Sequence, residues 1–237
     1  MHRLTLALLL TFPVLAGEPL AIEDVHFFPE SGWNRSDSVL QYNAFVHGTD
    51  GAHELAQEWG FGSSRHQLSV TVPVYDSRTT GLGDATISYR RQLVGGEGSR
   101  FAVAPRVSLV LPTRHAAFGV RSSGVQVSIP LSAEVTPRLV VHASGGASWY
   151  RDRGERELNF VHGMAFAASD RLALSLDAAW NRCLDGDDVV VVRPGVQYTF
   201  DGPGGLRLTP GVALPLGTDD QRVLVFVALE RQIAGKN

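Results

Sequence analysis

The sequence predicts an all-β fold, a twelve-stranded antiparallel up-and-down transmembrane β-barrel. Three observations carry it: side chains alternate with period two along extended runs, Gly and Pro punctuate the chain at short intervals, and no apolar stretch beyond residue 16 could form a spanning helix. The alternation is clearest over residues 125–134. There Val125, Val127, Ile129, Leu131 and Ala133 share one face while Gln126, Ser128, Ser132 and Glu134 share the other. It returns with Leu68, Val70, Val72 and Val74, with Leu172, Leu174 and Leu176, and with Leu206, Leu208, Val212, Leu214 and Leu216. The 25 glycines and 12 prolines among 237 residues argue for many strands and turns over long helices.

Residues 1–16 read as a secretory signal peptide: Met-His-Arg, an apolar run from Leu4 to Leu15, then the small residue Ala16 for cleavage. The run is short of the ~20 residues that a spanning helix needs. Residues 17–37 form an N-terminal periplasmic segment holding Phe27, Phe28, Pro29 and Trp33. It is apolar enough to dock, either as a plug in the periplasmic mouth or as a tether packed on the rim. The barrel is expected over 38–231, with a tail at 232–237. Its strands are placed near 38–47, 54–61, 66–74, 82–93, 100–111, 123–134, 138–150, 158–168, 171–181, 188–200, 205–216 and 222–231. Most exceed the five or six residues usual in soluble proteins and match the ~9–11 tilted residues that cross a bilayer.

With the processed N-terminus in the periplasm, alternate connections fall into short turns (62–65, 94–99, 136–137, 169–170, 201–204) and longer, more charged surface loops (75–81, 112–122, 151–157, 182–187). The competing architecture is a secreted β-sandwich, which would also alternate. Against it, Trp149, Tyr150 and Trp180 fall near the outer strand ends and Tyr198 and Phe200 near the inner end, as two interfacial girdles would require.

The formal net charge of -3, from 21 basic and 24 acidic residues, leaves no basic footprint for nucleic acid. The lone Cys183 supports neither a disulfide nor a thiolate metal site, and His26, His47, His53, His66, His115 and His162 lack ligand spacing, so neither metal nor cofactor is expected. His142 and Ser144 share a strand face, the geometry of a base and nucleophile, but no third orienting group stands near them, and catalysis is not expected.

If the apolar face meets lipid, the opposite face lines the lumen. That face holds Asp84, Arg90, Arg106, Glu134, His142, Asp177, Arg193, Arg207 and Glu230, which predicts Arg–carboxylate contacts across the interior. Arg106 and Arg193 are the candidates for a solute-selecting constriction, with simple filling of a narrow barrel as the alternative.

Four segments, in order, carry a family resemblance: Gly81-Leu82-Gly83-Asp84, Leu111-Pro112-Thr113, His142-Ala143-Ser144-Gly145-Gly146 and Arg193-Pro194-Gly195-Val196-Gln197-Tyr198. Over about residues 38–230 the chain resembles the outer-membrane barrel proteins associated with the meta-pathway of phenol degradation. Arg114 stands where that family usually has Gly, and Ser144 where Asn is common. The resemblance implies an outer-membrane channel passing small hydrophobic or aromatic solutes passively. Its implied partners are outer-membrane lipid, the solute, and the barrel-assembly machinery during biogenesis. The alternative is a non-conducting structural or adhesive barrel.

Overall fold

The computed structural model describes residues 38–47, 50–61, 65–76, 79–95, 99–152, 154–184, 188–201, 206–216 and 223–233. The expected signal peptide (1–16) and the possible plug (17–37) lie outside them. Among the described residues the strands are β1 (Ser38–His47), β2 (Asp50–Phe61), β3 (His66–Asp76), β4 (Thr80–Leu82), β5 (Ala85–Arg91), β6 (Phe101–Val103) and β7 (Arg106–Leu111). They continue with β8 (Gly124–Thr136), β9 (Leu139–Tyr150), β10 (Arg156–Ala167), β11 (Leu172–Cys183), β12 (Asp188–Thr199), β13 (Arg207–Leu216) and β14 (Leu224–Ile233).

All pairings are antiparallel. Apart from the stubs β4 and β6, the strands run in sequence from β1 to β14, with β1 paired to β14 and β2 to β3, so the sheet closes as a ring of twelve staves. Closure leaves no edge, the condition for strands in hydrocarbon. The ring starts and finishes at one end of the barrel, the terminal end; the 112–122 and 151–155 connections lie at the other, the loop end.

Two expected strands are interrupted. The strand expected over 82–93 breaks at Gly83 and Asp84 between β4 and β5, and that over 100–111 breaks at Ala104 and Pro105 between β6 and β7. Pro105 has no N–H for the ladder, although its carbonyl still accepts from Arg91 N at 3.1 Å. The Gly83–Asp84 break is where the 112–122 loop docks. Strand β2 also begins at Asp50, ahead of the expected residue 54.

The burial pattern is inside out relative to a soluble protein. Ile87, Leu109, Val127, Ile129, Phe160 and Leu174 are exposed on the outer face, while Ser88, Ser108, Ser132, Ser148, Asp177 and Arg193 are buried on the inner one. A sandwich would bury the first set between its sheets. Period-two alternation therefore acts here with its usual sign reversed, greasy outward and polar inward. Tyr150 corrects the girdle expectation: Trp149 points outward at 47% exposure, so Tyr150 points inward, where its hydroxyl accepts from Gln126 Nε2 at 2.9 Å.

Candidate functional site

All nine residues expected to line the lumen lie at inward positions, but they gather in separate groups. Midway along the strands, Ser132, His142, Gly163, Asp177 and Arg193 stand opposite one another in successive register from β8 to β12. Ser132 Oγ and His142 Nδ1 are 2.6 Å apart, so the partner of His142 is Ser132 and not Ser144. Gly163, which is buried, contributes no side chain between His142 and Asp177. Arg193 is fully buried at 0% exposure, directly across from the carboxylate of Asp177. A buried guanidinium requires such a counter-charge, because desolvating it alone would cost several kcal/mol.

Nearer the terminal end, Arg90 and Arg106 are cross-strand neighbours on β5 and β7. Arg90 donates to Gln67 Oε1; Arg106 donates through Nη2 to Ser88 Oγ at 3.0 Å and through Nε to Ser108 Oγ at 3.2 Å. The two serine hydroxyls are themselves 2.8 Å apart. Two guanidinium groups thus stand side by side on the wall, bonded among others to Gln67, Ser88 and Ser108. At the terminal rim, Arg207 pairs with Glu230 at 3.1 Å, and Glu134 lies 3.8 Å from Arg100.

The loop end differs. The connection expected as a surface loop, 112–122, folds into the mouth of the barrel and carries a short 3-10 turn, Ala116–Phe118. Its anchor is Arg114, 2% exposed, whose Nε donates to Asp84 Oδ2 at 3.0 Å and whose backbone N–H donates to Asp84 Oδ1 at 3.1 Å. Arg114 Nη1 also donates to the Phe118 carbonyl at 3.3 Å, tying anchor to turn. Thr113 Oγ1 donates to the Gly83 carbonyl and accepts from Ala85 N–H, both at 2.8 Å, and His115 N–H reaches the Leu82 carbonyl at 2.8 Å. The loop therefore supplies partners to the backbone that the β4–β5 break leaves unpaired.

The glycines of that break have a packing reason. A Cβ on Gly81 would lie 2.7 Å from His115 Cβ and 2.9 Å from the Phe118 ring; one on Gly83 would lie 2.6 Å from the Tyr75 ring. Above them Phe118 meets Tyr75, ring centroids 5.5 Å apart, in an apolar cluster with Val191, Ala213, Leu224 and Phe226. Phe226 lies across Gly211. Arg114, Phe118, Tyr75 and Phe226 were not singled out from sequence as lumen residues, although Arg114 stood out as a departure from the resembling family.

The inner face thus has two regions: a loop end packed with aromatic rings and an anchored loop, and a half toward the terminal end lined by hydroxyls and arginines. Neither a family model nor a curated protein matches the sequence. Among solved structures the fold is similar to the KdgM porin (11% identity, TM-score 0.65, covering 83% of this chain and 99% of that one). It is similar also to an outer membrane channel from Pseudomonas putida F1 (13% identity, TM-score 0.62, 89% and 99% covered) and to the NanC porin (7% identity, TM-score 0.62, 83% and 100% covered). The fold shared with them is a closed, twelve-stranded antiparallel barrel. Among the described residues no cluster of His, Cys, Asp and Glu is arranged to hold a metal ion.

Proposed function

We propose that this barrel sits in the outer membrane as a passive channel for small solutes that join an apolar, aromatic-sized body to an acidic group. The observation that carries this reading is the pairing of an aromatic mouth with two adjacent wall arginines in one lumen. Tyr75, Phe118, Val191, Leu224 and Phe226 pack into an apolar cluster at the entrance, so the passage beside them suits a flat or greasy body. Beyond it, Arg90 and Arg106 place two positive charges side by side on the wall, which draws a carboxylate toward it. The resemblance to phenol-pathway barrel proteins supports the aromatic half of the reading. The acidic half is supported by the KdgM porin, which has been seen in complex with disordered oligogalacturonate, an anionic chain.

The test is conductance of the full chain in planar bilayers under a salt gradient. The expected result is a small, anion-preferring current that benzoate reduces at concentrations where cyclohexanol has little effect. A cation preference, or equal effects of the two blockers, sinks the solute class. The second reading, a non-conducting barrel, draws on the same inward loop and on the serine-lined interior; the absence of current above background at any voltage would establish it instead.

A further inference from the structure

The tip joining β9 to β10 is built differently from the inward loop. The chain runs Tyr150-Arg151-Asp152, turns through Gly154 at φ 70°, and returns as Glu155-Arg156. Tyr150 N–H donates to the Glu155 carbonyl at 2.9 Å, which closes the turn. Asp152 Oδ2 then accepts from Ser123 N–H at 2.9 Å and Ser123 Oγ at 3.0 Å, while Arg151 N–H donates to the Ser123 carbonyl at 2.9 Å. These bonds fold the tip onto the start of β8 and frame a cleft of about 460 Å³ lined by Val125, Trp149, Arg151, Glu155 and Arg156, among others.

Chemistry in this cleft is layered. Val125, Trp149 and Arg156 are opposed in register across β8, β9 and β10 on the outward face. An aliphatic side chain, an indole and a guanidinium therefore stand in one row on the lipid side. Trp prefers the membrane interface, and a guanidinium there reaches for headgroup oxygens while its stem lies along apolar surface. The charge of Arg151 acts on the exposed carboxylate of Asp152. The nearby carboxylate of Asp152 is committed to Ser123, so Glu155 is the one acid lining the cleft.

We infer that this cleft is a headgroup site for a phosphorylated lipid of the outer leaflet: Arg151 and Arg156 hold the phosphate, and Trp149 and Val125 meet the upper acyl chains. The inference rests on the outer-membrane reading of the fold but not on conduction. Its site lies at the loop-end rim, where Tyr150 also lines the cleft, and away from the Arg90–Arg106 pair on the lumen wall.

The experiment uses full-chain protein in neutral detergent and follows the temperature at which its compact, unheated gel mobility is lost. Adding diphosphoryl lipid A raises that temperature, whereas fully dephosphorylated lipid A and free inorganic phosphate at equal concentration do not. The R151Q/R156Q double variant needs about tenfold more lipid or worse for the same shift, as expected when two charge-assisted contacts are lost. R138Q, at the opposite end of the barrel, responds as the unaltered chain does. An unchanged lipid response in R151Q/R156Q, an equal response to dephosphorylated lipid, or a full response to inorganic phosphate alone would overturn the proposal. A barrel that conducts nothing in bilayers yet shows the phosphate-dependent shift would refute the channel and leave the lipid site standing.

Discussion

The two halves of the lumen solve the problem of filling a narrow barrel in opposite ways. At the loop end the space is taken up by a folded-back segment whose rings pack against wall rings and whose one buried cation, Arg114, is matched to one buried carboxylate, Asp84. Toward the terminal end the wall keeps its own short side chains, Ser88, Ser108 and Ser128, and places Arg90 beside Arg106. The first arrangement gains stability from packing and pairing. The second gives some away, because like charges directly opposite on neighbouring strands repel. Under the proposed function this pair meets anions on the inner wall, and the loop end governs which of them arrive.

The sharpest way to break this contrast is Arg114→Ala. It strands the Asp84 carboxylate in a site where both side chains are at most 4% exposed. Removing one partner of a buried pair costs about 3–5 kcal/mol. The loop should leave the mouth, raising single-channel conductance and exposing 112–122 to protease in intact cells. Adding Asp84→Asn should recover part of the stability but not the narrow conductance. Unchanged conductance in Arg114→Ala would mean that the loop does not set the constriction.

A smaller effect is expected from Gly83→Ala, since the new methyl group would meet the Tyr75 ring at 2.6 Å and the Pro73 ring at 2.8 Å. Overpacking of this kind costs about 1–3 kcal/mol. The Tyr75 ring must shift from its place against Phe118, so thermal stability falls while the anion preference set farther down the lumen is kept. A lost anion preference in this variant would show that the two halves are not separable.

Smaller again, and opposite in sign, is the effect of Arg90→Gln. It relieves the repulsion with Arg106 and should leave stability unchanged or raised by about 0.2–1 kcal/mol. At the same time the reversal potential should move toward cation preference. Stability and selectivity moving apart is the signature of a functional charge; a clear loss of stability would make Arg90 a structural residue instead.

How much of this was legible in the sequence follows from where the information lies. Alternation is a property of each strand by itself, so the inward set from Arg90 to Glu230 could be read from parity without knowing any pairing. The same parity places Tyr150 inside once Trp149 is outside. Grouping the two as neighbouring girdle aromatics let a compositional cue override a geometric one. The inward loop was not legible, because its anchor joins residues 30 positions apart, Asp84 and Arg114, and no local pattern announces that contact. In hindsight its signal was split between two segments that read as turn punctuation. Gly81-Leu82-Gly83-Asp84 and Leu111-Pro112-Thr113 flank the two faces of one docking site, the glycines making room for His115, Phe118 and Tyr75. The β6–β7 interruption had a local mark in Pro105, whereas the β4–β5 break had none apart from those glycines.

The smallest expected effect lies outside the lumen altogether and tests whether the β9–β10 tip is as firmly built as the inward loop. The Ser123 backbone N–H, and then its hydroxyl, hold the carboxyl of Asp152 below its ordinary value of 3.8, outweighing the opposing effect of desolvation. A group whose folded pKa is depressed contributes stability that is complete above its unfolded value and is lost as pH falls through the folded one. The tip should therefore be anchored throughout neutral and mildly acidic conditions and begin to loosen only below about pH 4. Because Asp152 is fully exposed, the whole barrel should not respond. Amide exchange at Ser123, corrected for its intrinsic pH dependence, should speed up in that acidic window in the unaltered chain. In Asp152→Asn it should already be fast at neutral pH. Equal protection in both proteins at pH 7 would mean that the ladder between β8 and β9, and not this carboxylate, holds the tip in place.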